Sequence, residues 1–397
     1  MKLTFVSNYI NHHQIPVSNE LYKKLGEDYC FIQTEPIEQE RLQMGWQDET
    51  KEIPYLRCYY EQPETCRQLI LDSDVVVFGG TDDESYIQPR LKAGKLVIRY
   101  SERLYKTGQW KAVSPRGLKK KYEDHTKYRN AQVYLLCAGG YVSSDFHIVR
   151  AYPNKMLKWG YFPKTRQIDM DKTMLLKQEV AKQKDKVTLL WAGRFIDWKH
   201  PELPIELAKY LKEKGYKFEL RMIGGGDMLQ EIQRLLKEYR LEDYVKLVGY
   251  MTPEEVREQM EETQIYLFTS DYQEGWGAVL NEAMNSGCAV VASHAIGATP
   301  YLIQHEKNGL IFKSGDVFDL VKQTEKLLMD QGLCEKLGRA AVDTILSQWN
   351  AENAANRLVD IAEKLLAGQD LIFSEKGPCS KAEIIAERKM YRYLCKD

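Results

Sequence analysis

Short apolar runs alternate along this chain with longer stretches in which apolar residues recur every third or fourth position. The runs predict strands at Leu3–Ser7, Tyr29–Gln33, 75–78, 96–98, 133–137 and 157–162, then at Val187–Ala192, Phe218–Ile223, 245–248, 265–269, 289–292 and 309–312. Between most of them lie helical patterns. In 201–214, Leu203, Leu207 and Leu211 recur at i, i+4 and i+8 among Lys and Glu, with Pro201 in the first turn, where a missing N–H costs little. Strand alternating with helix implies parallel sheets covered by helices on both faces. Two such sets are present, and the charged stretch 164–186 separates them. After 309–312 the pattern turns wholly helical to about 367, and AEIIAERKMYRYL predicts a further helix beyond Gly377-Pro378. The expected organisation is an α/β domain over 1–163, a second over 164–345, and a helical tail over 346–397 that packs back toward the first domain.

Bulk properties narrow the picture. A chain of 397 residues is comfortable for two domains, and 44% hydrophobic with 28% charged residues is globular composition. The net charge of -1 supplies no global field for nucleic acid or a membrane, so no nucleic-acid partner is expected. The apolar start soon meets Asn8 and Asn11, which reads as a first strand rather than a signal peptide. No apolar stretch approaches the roughly 20 residues of a membrane span. The eight cysteines form no C-x-x-C pair, and Cys137 and Cys288 sit inside apolar runs, so the expected location is the reducing cytoplasm. One segment, 114–129, is locally basic with tyrosines. A solvated face is the simpler reading; contact with anionic lipid at the inner membrane face, or with a lipid-linked acceptor, is the alternative.

Chemistry concentrates in IYLFTSDYQEGWGAVLNEAMNSGCAVVAS. A buried strand enters a polar loop, Gly275 and Gly277 follow, and then a helix is expected over 276–285. In open parallel sheets, ligands bind beyond the carboxyl ends of the strands. Glycines there let a backbone approach a ligand, and free N–H groups in a helix's first turn suit a phosphate. Glu282, six residues past Trp276 or about 9 Å along a helix, could accept both hydrogen bonds of a vicinal diol such as a ribose. Glu274 precedes the helix. Either glutamate alone reads equally well as a surface residue; the whole arrangement does not.

The segment EGWGAVLNEAMNSGCAVVAS, Glu274 to Ser293, resembles the signature of family 4 glycosyltransferases, "glycosyl transferases group 1". The resemblance implies a retaining enzyme of GT-B fold, with two Rossmann-like domains facing across a cleft and a nucleoside diphosphate sugar as donor. It gives Glu282 the nucleotide ribose and Glu274 the donor sugar near the reacting carbon, with Gly275, Trp276, Gly277, Ala278 and Val279 lining the donor. GRFIDWKH, from Gly193 to His200, looks like the family's diphosphate-binding segment. Arg194 and Lys199 would hold the diphosphate and offset the charge that develops as it leaves. His200 stands where glycine is common. The glycines Gly224–Gly226 and the strand-end pair Gly249 and Tyr250 also resemble family segments, the latter as neighbours of the base; Thr252 and Glu255 are equally a helix capping box.

The first half matches only in outline, and by the resemblance it binds the acceptor. Asn8, Asn11, His12 and His13 follow the first strand where many relatives carry Gly-Gly. Where relatives end a strand in histidine, this chain reads Ser101, Glu102 and Arg103, and Glu102 is the candidate catalytic substitute. The Asp72–Asp74 and Asp82-Asp83 pairs invite a metal reading, but the first pair precedes a strand, at the end away from the expected site. GT-B enzymes use cations and a helix end instead, so neither metal nor cofactor is expected. The partners expected are a nucleotide sugar and a carbohydrate or lipid-linked acceptor. The product would be a bacterial surface polysaccharide or glycolipid. The rival readings are a sugar-nucleotide epimerase on the same fold and a non-catalytic sugar-nucleotide-binding protein.

Overall fold

A computed structural model of the chain describes residues 1–37 and 53–396. It contains two parallel sheets. The first is built of β1 (Leu3–Ser7), β2 (Tyr29–Gln33), β3 (Leu56–Cys58), β4 (Val75–Gly79), β5 (Val97–Ser101), β6 (Val133–Ala138) and β7 (Met156–Trp159), in the order β3-β2-β1-β4-β5-β6-β7. The second is built of β8 (Val187–Ala192), β9 (Phe218–Ile223), β10 (Val245–Gly249), β11 (Ile265–Phe268), β12 (Ala289–Ser293) and β13 (Leu310–Phe312), in the order β10-β9-β8-β11-β12-β13. Strands buried on both faces read as unbroken apolar runs, and every residue of β1, β4 and β12 is buried. Strand order reverses between β1 and β4 and again between β8 and β11. At such a switch point the loops on the two sides part, and the carboxyl edge opens for a ligand.

The chain divides into two compact units. The first comprises Met1–Lys164 and Trp349–Ala386; the second comprises Thr165–Gln348 and the segment from Glu387 onward. The tail is therefore shared. Its helix Ala351–Leu366 packs on the helix Ile15–Leu25 of the first unit. Residues 379–382 then run antiparallel to β7, where Cys379 N–H donates to the Lys158 carbonyl at 2.7 Å and Lys158 N–H to the Ser380 carbonyl at 2.7 Å. That pairing covers a sheet edge that would otherwise present open backbone groups. The final helix Glu387–Leu394 belongs to the second unit, with Met390 buried and Tyr391 donating to Asp319 at 2.7 Å.

Several elements differ from the expectation. The edge strand β3 is too short to show period-2 alternation. β7 ends at Trp159, and Phe162 is apolar because it packs on Trp159 and Trp349. The tail is not helical throughout, since no helix occupies 369–386. The charged stretch 164–186 contains the helix Met170–Lys184 of the second unit. Its Lys177 is buried and donates to the Met260 and Thr263 carbonyls at 2.7 and 2.6 Å. The stretch reads in sequence as a boundary without a helix because a buried lysine that satisfies carbonyls looks the same there as a solvated one.

Candidate functional site

In the second unit the loops leaving β8, β9, β10, β11 and β12 nest against one another. Gly193 N–H donates to the Ile223 carbonyl at 3.0 Å, Gly224 N–H to Gly249 at 2.8 Å, Phe195 N–H to Gly225 at 2.8 Å, and Asp271 N–H to Trp198 at 2.9 Å. These approaches explain the glycines. A Cβ on Gly224 would stand 2.1 Å from the Gly193 oxygen, and one on Gly226 would stand 2.7 Å from the Phe195 oxygen. The triplet thus has a complete structural reason in loop packing. Gly249 takes φ +85° at an irregularity in β10 and turns out Tyr250, which is 75% exposed and lies over Gly225. The capping box of Thr252 and Glu255 is present as well.

At the switch point, Arg194 and Lys199 leave β8 and Glu274 leaves β11. The Lys199 ammonium donates to Glu274 Oε2 at 2.6 Å, and Ser270 Oγ donates to the same oxygen at 2.9 Å. Both members of the ion pair are mostly buried, with 14% and 13% of their side chains exposed. Trp198 underlies the cations: its ring centre is 4.7 Å from Lys199 Nζ and 5.9 Å from the Arg194 guanidinium carbon. The arrangement can neutralise an anionic group through Arg194 and Lys199 and, through Glu274, accept hydrogen bonds beside it.

The helix after EGWG starts at Val279, three residues later than expected. Gly277 sits at φ +87° against the Phe268 ring, and buried Trp276 donates from Nε1 to Asn281 at 2.9 Å, which holds 276–278 as a turn. Glu282 is consequently in the helix's first turn rather than deep along it. Desolvation pushes its carboxyl up to about 7, against the pull of Arg257 and Arg166. Arg257 is itself buried and donates to Asn285 at 2.7 Å. A half-buried carboxylate held in reserve near neutrality suits an acceptor of hydroxyl hydrogen bonds.

In the first unit, Ser101, Glu102, His12 and His13 gather beyond β1 and β5, together with Tyr161 and Lys106, which the sequence reading missed. Glu102 accepts from Tyr161 Oη and from Lys106 Nζ, both at 2.5 Å. The Tyr161 ring stacks parallel to His13 at 6.0 Å, and the His12 and His13 rings lie 3.8 Å apart. Burial, with Glu102 alongside, holds the Tyr161 phenol well above its ordinary value. Ser101 donates to the Glu102 carbonyl at 2.7 Å, and Asn8 accepts from Ser7 at 3.3 Å. Arg103 does not join them: it is buried, donates to both oxygens of Asp145 at 3.3 Å and lies over Tyr141, which makes it a structural ion pair. Asp74 accepts from the Lys2 backbone N–H at 2.7 Å at the start of β4, and Asp83 accepts from the Ser85 N–H at 2.9 Å. Among the described residues, no group of three or more His, Cys, Asp or Glu is placed to hold a metal ion.

Residues 173–344 match the family described as glycosyl transferases group 1. The second unit is a glycosyl transferases group 1 domain. Within reach of that match, the chain is 31% identical over 182 residues to the amylovoran biosynthesis glycosyltransferase AmsK of Erwinia amylovora, covering 45% of this chain and 44% of that one. It is 26% identical over 208 residues to the N-acetyl-alpha-D-glucosaminyl L-malate synthase of Bacillus anthracis, covering 52% and 53%. The chain thus spans about half the length of the curated relatives it matches. Whole-chain likeness comes from structure. HepE of Anabaena in complex with UDP superposes with a TM-score of 0.69 at 14% identity over 92% of this chain and 100% of that one. Sucrose-phosphate synthase of Thermosynechococcus elongatus gives 0.61 at 16% identity over 93% and 100%. At such identities the likeness shows the fold: both units are Rossmann-like, as in the GT-B architecture.

Proposed function

We propose that the chain transfers a hexose from a nucleoside diphosphate sugar to a hydroxyl of a glycan or glycolipid, with retention at the anomeric carbon, in bacterial surface polysaccharide synthesis. The observation that carries this is the grouping of Arg194, Lys199 and Glu274 at the switch point of the second sheet, with Glu282 in the helix turn that follows. The relatives' names support it, among them glycosyltransferases of amylovoran and colanic acid biosynthesis, as does the likeness to a protein crystallised with UDP-glucose.

In this reading Glu282 accepts both ribose hydroxyls and Tyr250 lies near the base. Arg194 and Lys199 take the diphosphate, while Glu274, which shares Lys199, receives hydroxyls of the sugar. As the bond to the anomeric carbon lengthens, negative charge grows on the diphosphate, and the two cations are already in place to meet it. The acceptor hydroxyl attacks from the same face. Glu102, with Tyr161, His12 and His13, is the acceptor-side group. No metal is invoked, since cations and backbone amides supply the electrophilic side.

A thermal-shift panel of sugar nucleotides tests the donor half, because a ligand bound at 100 times its Kd stabilises by about 2.7 kcal/mol. Product analysis with donor alone tests the alternative: an epimerised sugar nucleotide would replace the transferase reading.

The proposed location is the cytoplasm, with peripheral membrane contact through 114–129. No helix among the described residues is long and apolar enough to cross a membrane. The support is local: the helix Pro115–Asp124 carries Lys119, Lys120 and Lys121 with exposed Leu118 and Tyr122, and just before it Trp110 and Val113 are 70% and 77% exposed. Co-sedimentation with vesicles rich in anionic lipid, lost in Trp110→Ser/Lys119→Glu/Lys120→Glu, is the expected result. Equal sedimentation of the variant would remove the contact.

A further inference from the structure

His200 is the one departure from the resemblance inside the donor segment, and its surroundings give it work. It sits at φ +50°, ψ +57°, a left-handed conformation that explains why glycine suits this position. Keeping a side chain there calls for compensation. The ring reaches two carboxylates on different elements: Nδ1 is 2.7 Å from Glu202 Oε1, on the helix Glu202–Glu213, and Nε2 is 3.7 Å from Asp271 Oδ2, in the loop after β11. The first is a hydrogen bond and the second an ion-pair distance.

Asp271 organises that loop. Its N–H donates to the Trp198 carbonyl at 2.9 Å, its carbonyl accepts from the Glu274 N–H at 3.2 Å, and its Oδ1 accepts from the Gln273 N–H at 2.8 Å. The backbone of Lys199 and His200 is fastened from the other side, since both carbonyls accept from Thr269 Oγ1 at the end of β11.

We propose that His200, as an imidazolium, is a positioning residue that ties the Asp271–Glu274 loop to the loop carrying Arg194 and Lys199, and so holds Glu274 against the donor sugar. The inference rests on the transferase reading for its catalytic consequence; the tie itself rests on geometry alone.

The charged groups facing the ring are consistent with it. Glu202 and Asp271 are the carboxylates in contact. Glu206, further along the same helix, is raised by burial and by Glu202, while the neighbouring Lys199 points its ammonium to Glu274. Asp271 foremost and then Glu202 push the imidazole up to about 10 from its ordinary 6.5. A raised histidine contributes most below 6.5 and loses its contribution as pH rises through about 10. The tie therefore persists across neutral pH.

The test compares His200→Gln, His200→Gly, His200→Arg and Asp271→Asn with the wild type, using the sugar nucleotide that gives the largest thermal shift. Glycine accepts the left-handed backbone freely, so that variant keeps the loop path. Expected are folded proteins in which H200Q, H200G and D271N lose roughly tenfold in kcat at pH 7.5, a loss of the size small misplacements cause. H200R recovers most of it, and H200Q/D271N is no worse than either single variant. Wild-type kcat in H200Q, or a lowered melting midpoint with kcat unchanged, would overturn the proposal. If the wild type moves no sugar from any donor, the transferase reading fails instead, and NMR titration of the His200 ring decides the tie. A ring still charged at pH 8 supports it, and one titrating near 6.5 overturns it.

Discussion

The donor-side chemistry comes down to four charged side chains with unlike environments. Lys199 and Glu274 neutralise each other at 2.6 Å, whereas Arg194 has Trp198 beside it, with its guanidinium carbon 5.9 Å from the ring centre. Lys199→Met is expected to lower kcat by about 10²–10³-fold, as the loss of a group that stabilises transition-state charge does, and to do so without lowering the melting midpoint by more than a few degrees. Steady-state kinetics beside calorimetry separates the two. Glu282 makes a pH prediction. Its carboxyl is raised to about 7, so its ionised form is scarce at pH 5.5 and dominant at pH 8. Since the carboxylate is the form that accepts both ribose hydroxyls, affinity for a nucleoside diphosphate should rise across that range. Titration calorimetry of Glu282→Gln should show weaker binding with that rise removed. Stability moves the opposite way, falling as pH rises from about 4.5 to about 7, because over that range the unfolded chain ionises Glu282 while the fold still holds its proton.

At the scale of elements, the glycines sort by what surrounds them. A methyl on Gly224 meets a backbone oxygen at 2.1 Å, and one on Gly297 meets the Gly275 oxygen at 1.7 Å, with no flexible side chain to yield. Gly249 faces open space and needs only its φ of +85°. Gly224→Ala and Gly297→Ala should therefore each destabilise by about 3 kcal/mol or more, and Gly249→Ala by about 1–2 kcal/mol, measured as denaturant midpoints at constant slope. Equal effects at all three would contradict the packing argument. This is also where sequence reading was strongest and weakest. The strands β8, β11, β12 and β13 of the second sheet were legible because burial on both faces leaves continuous apolar runs, and Glu274 and Glu282 because they sit in a dense motif. Gly297 was not legible, since its need arises from a loop brought close by β12. Neither was Tyr161, which meets Glu102 from a residue 59 positions away. Arg103 reads in sequence as an acceptor-side candidate beside Glu102, because nothing local reveals Asp145, 42 positions on.

For the molecule as a whole, the chain order does not follow the units. The helix Ala351–Leu366 returns to Ile15–Leu25, and 379–382 closes the edge of β7, so the first unit is completed by sequence that follows the second. A chain ending at Gln348 should lose the apolar cover of Ile15–Leu25 and leave β7 open. Limited proteolysis is expected to degrade the first unit while leaving 165–348 resistant, and uniform resistance would contradict the assignment. The sequence reading has the tail packing back toward the first domain without saying on which element, because its buried face is an ordinary helical stripe that does not name its partner.

The central claim is that the second unit holds a nucleoside diphosphate sugar through Arg194, Lys199, Glu274 and Glu282. It is tested most directly by measuring the melting midpoint of wild type and of Arg194→Ala/Glu282→Gln with UDP, GDP and ADP sugars. The claim predicts that one nucleotide series raises the wild-type midpoint by several degrees at millimolar concentration and leaves the variant unmoved. A wild type that no nucleoside diphosphate sugar stabilises, or a variant stabilised as strongly as the wild type, would contradict it.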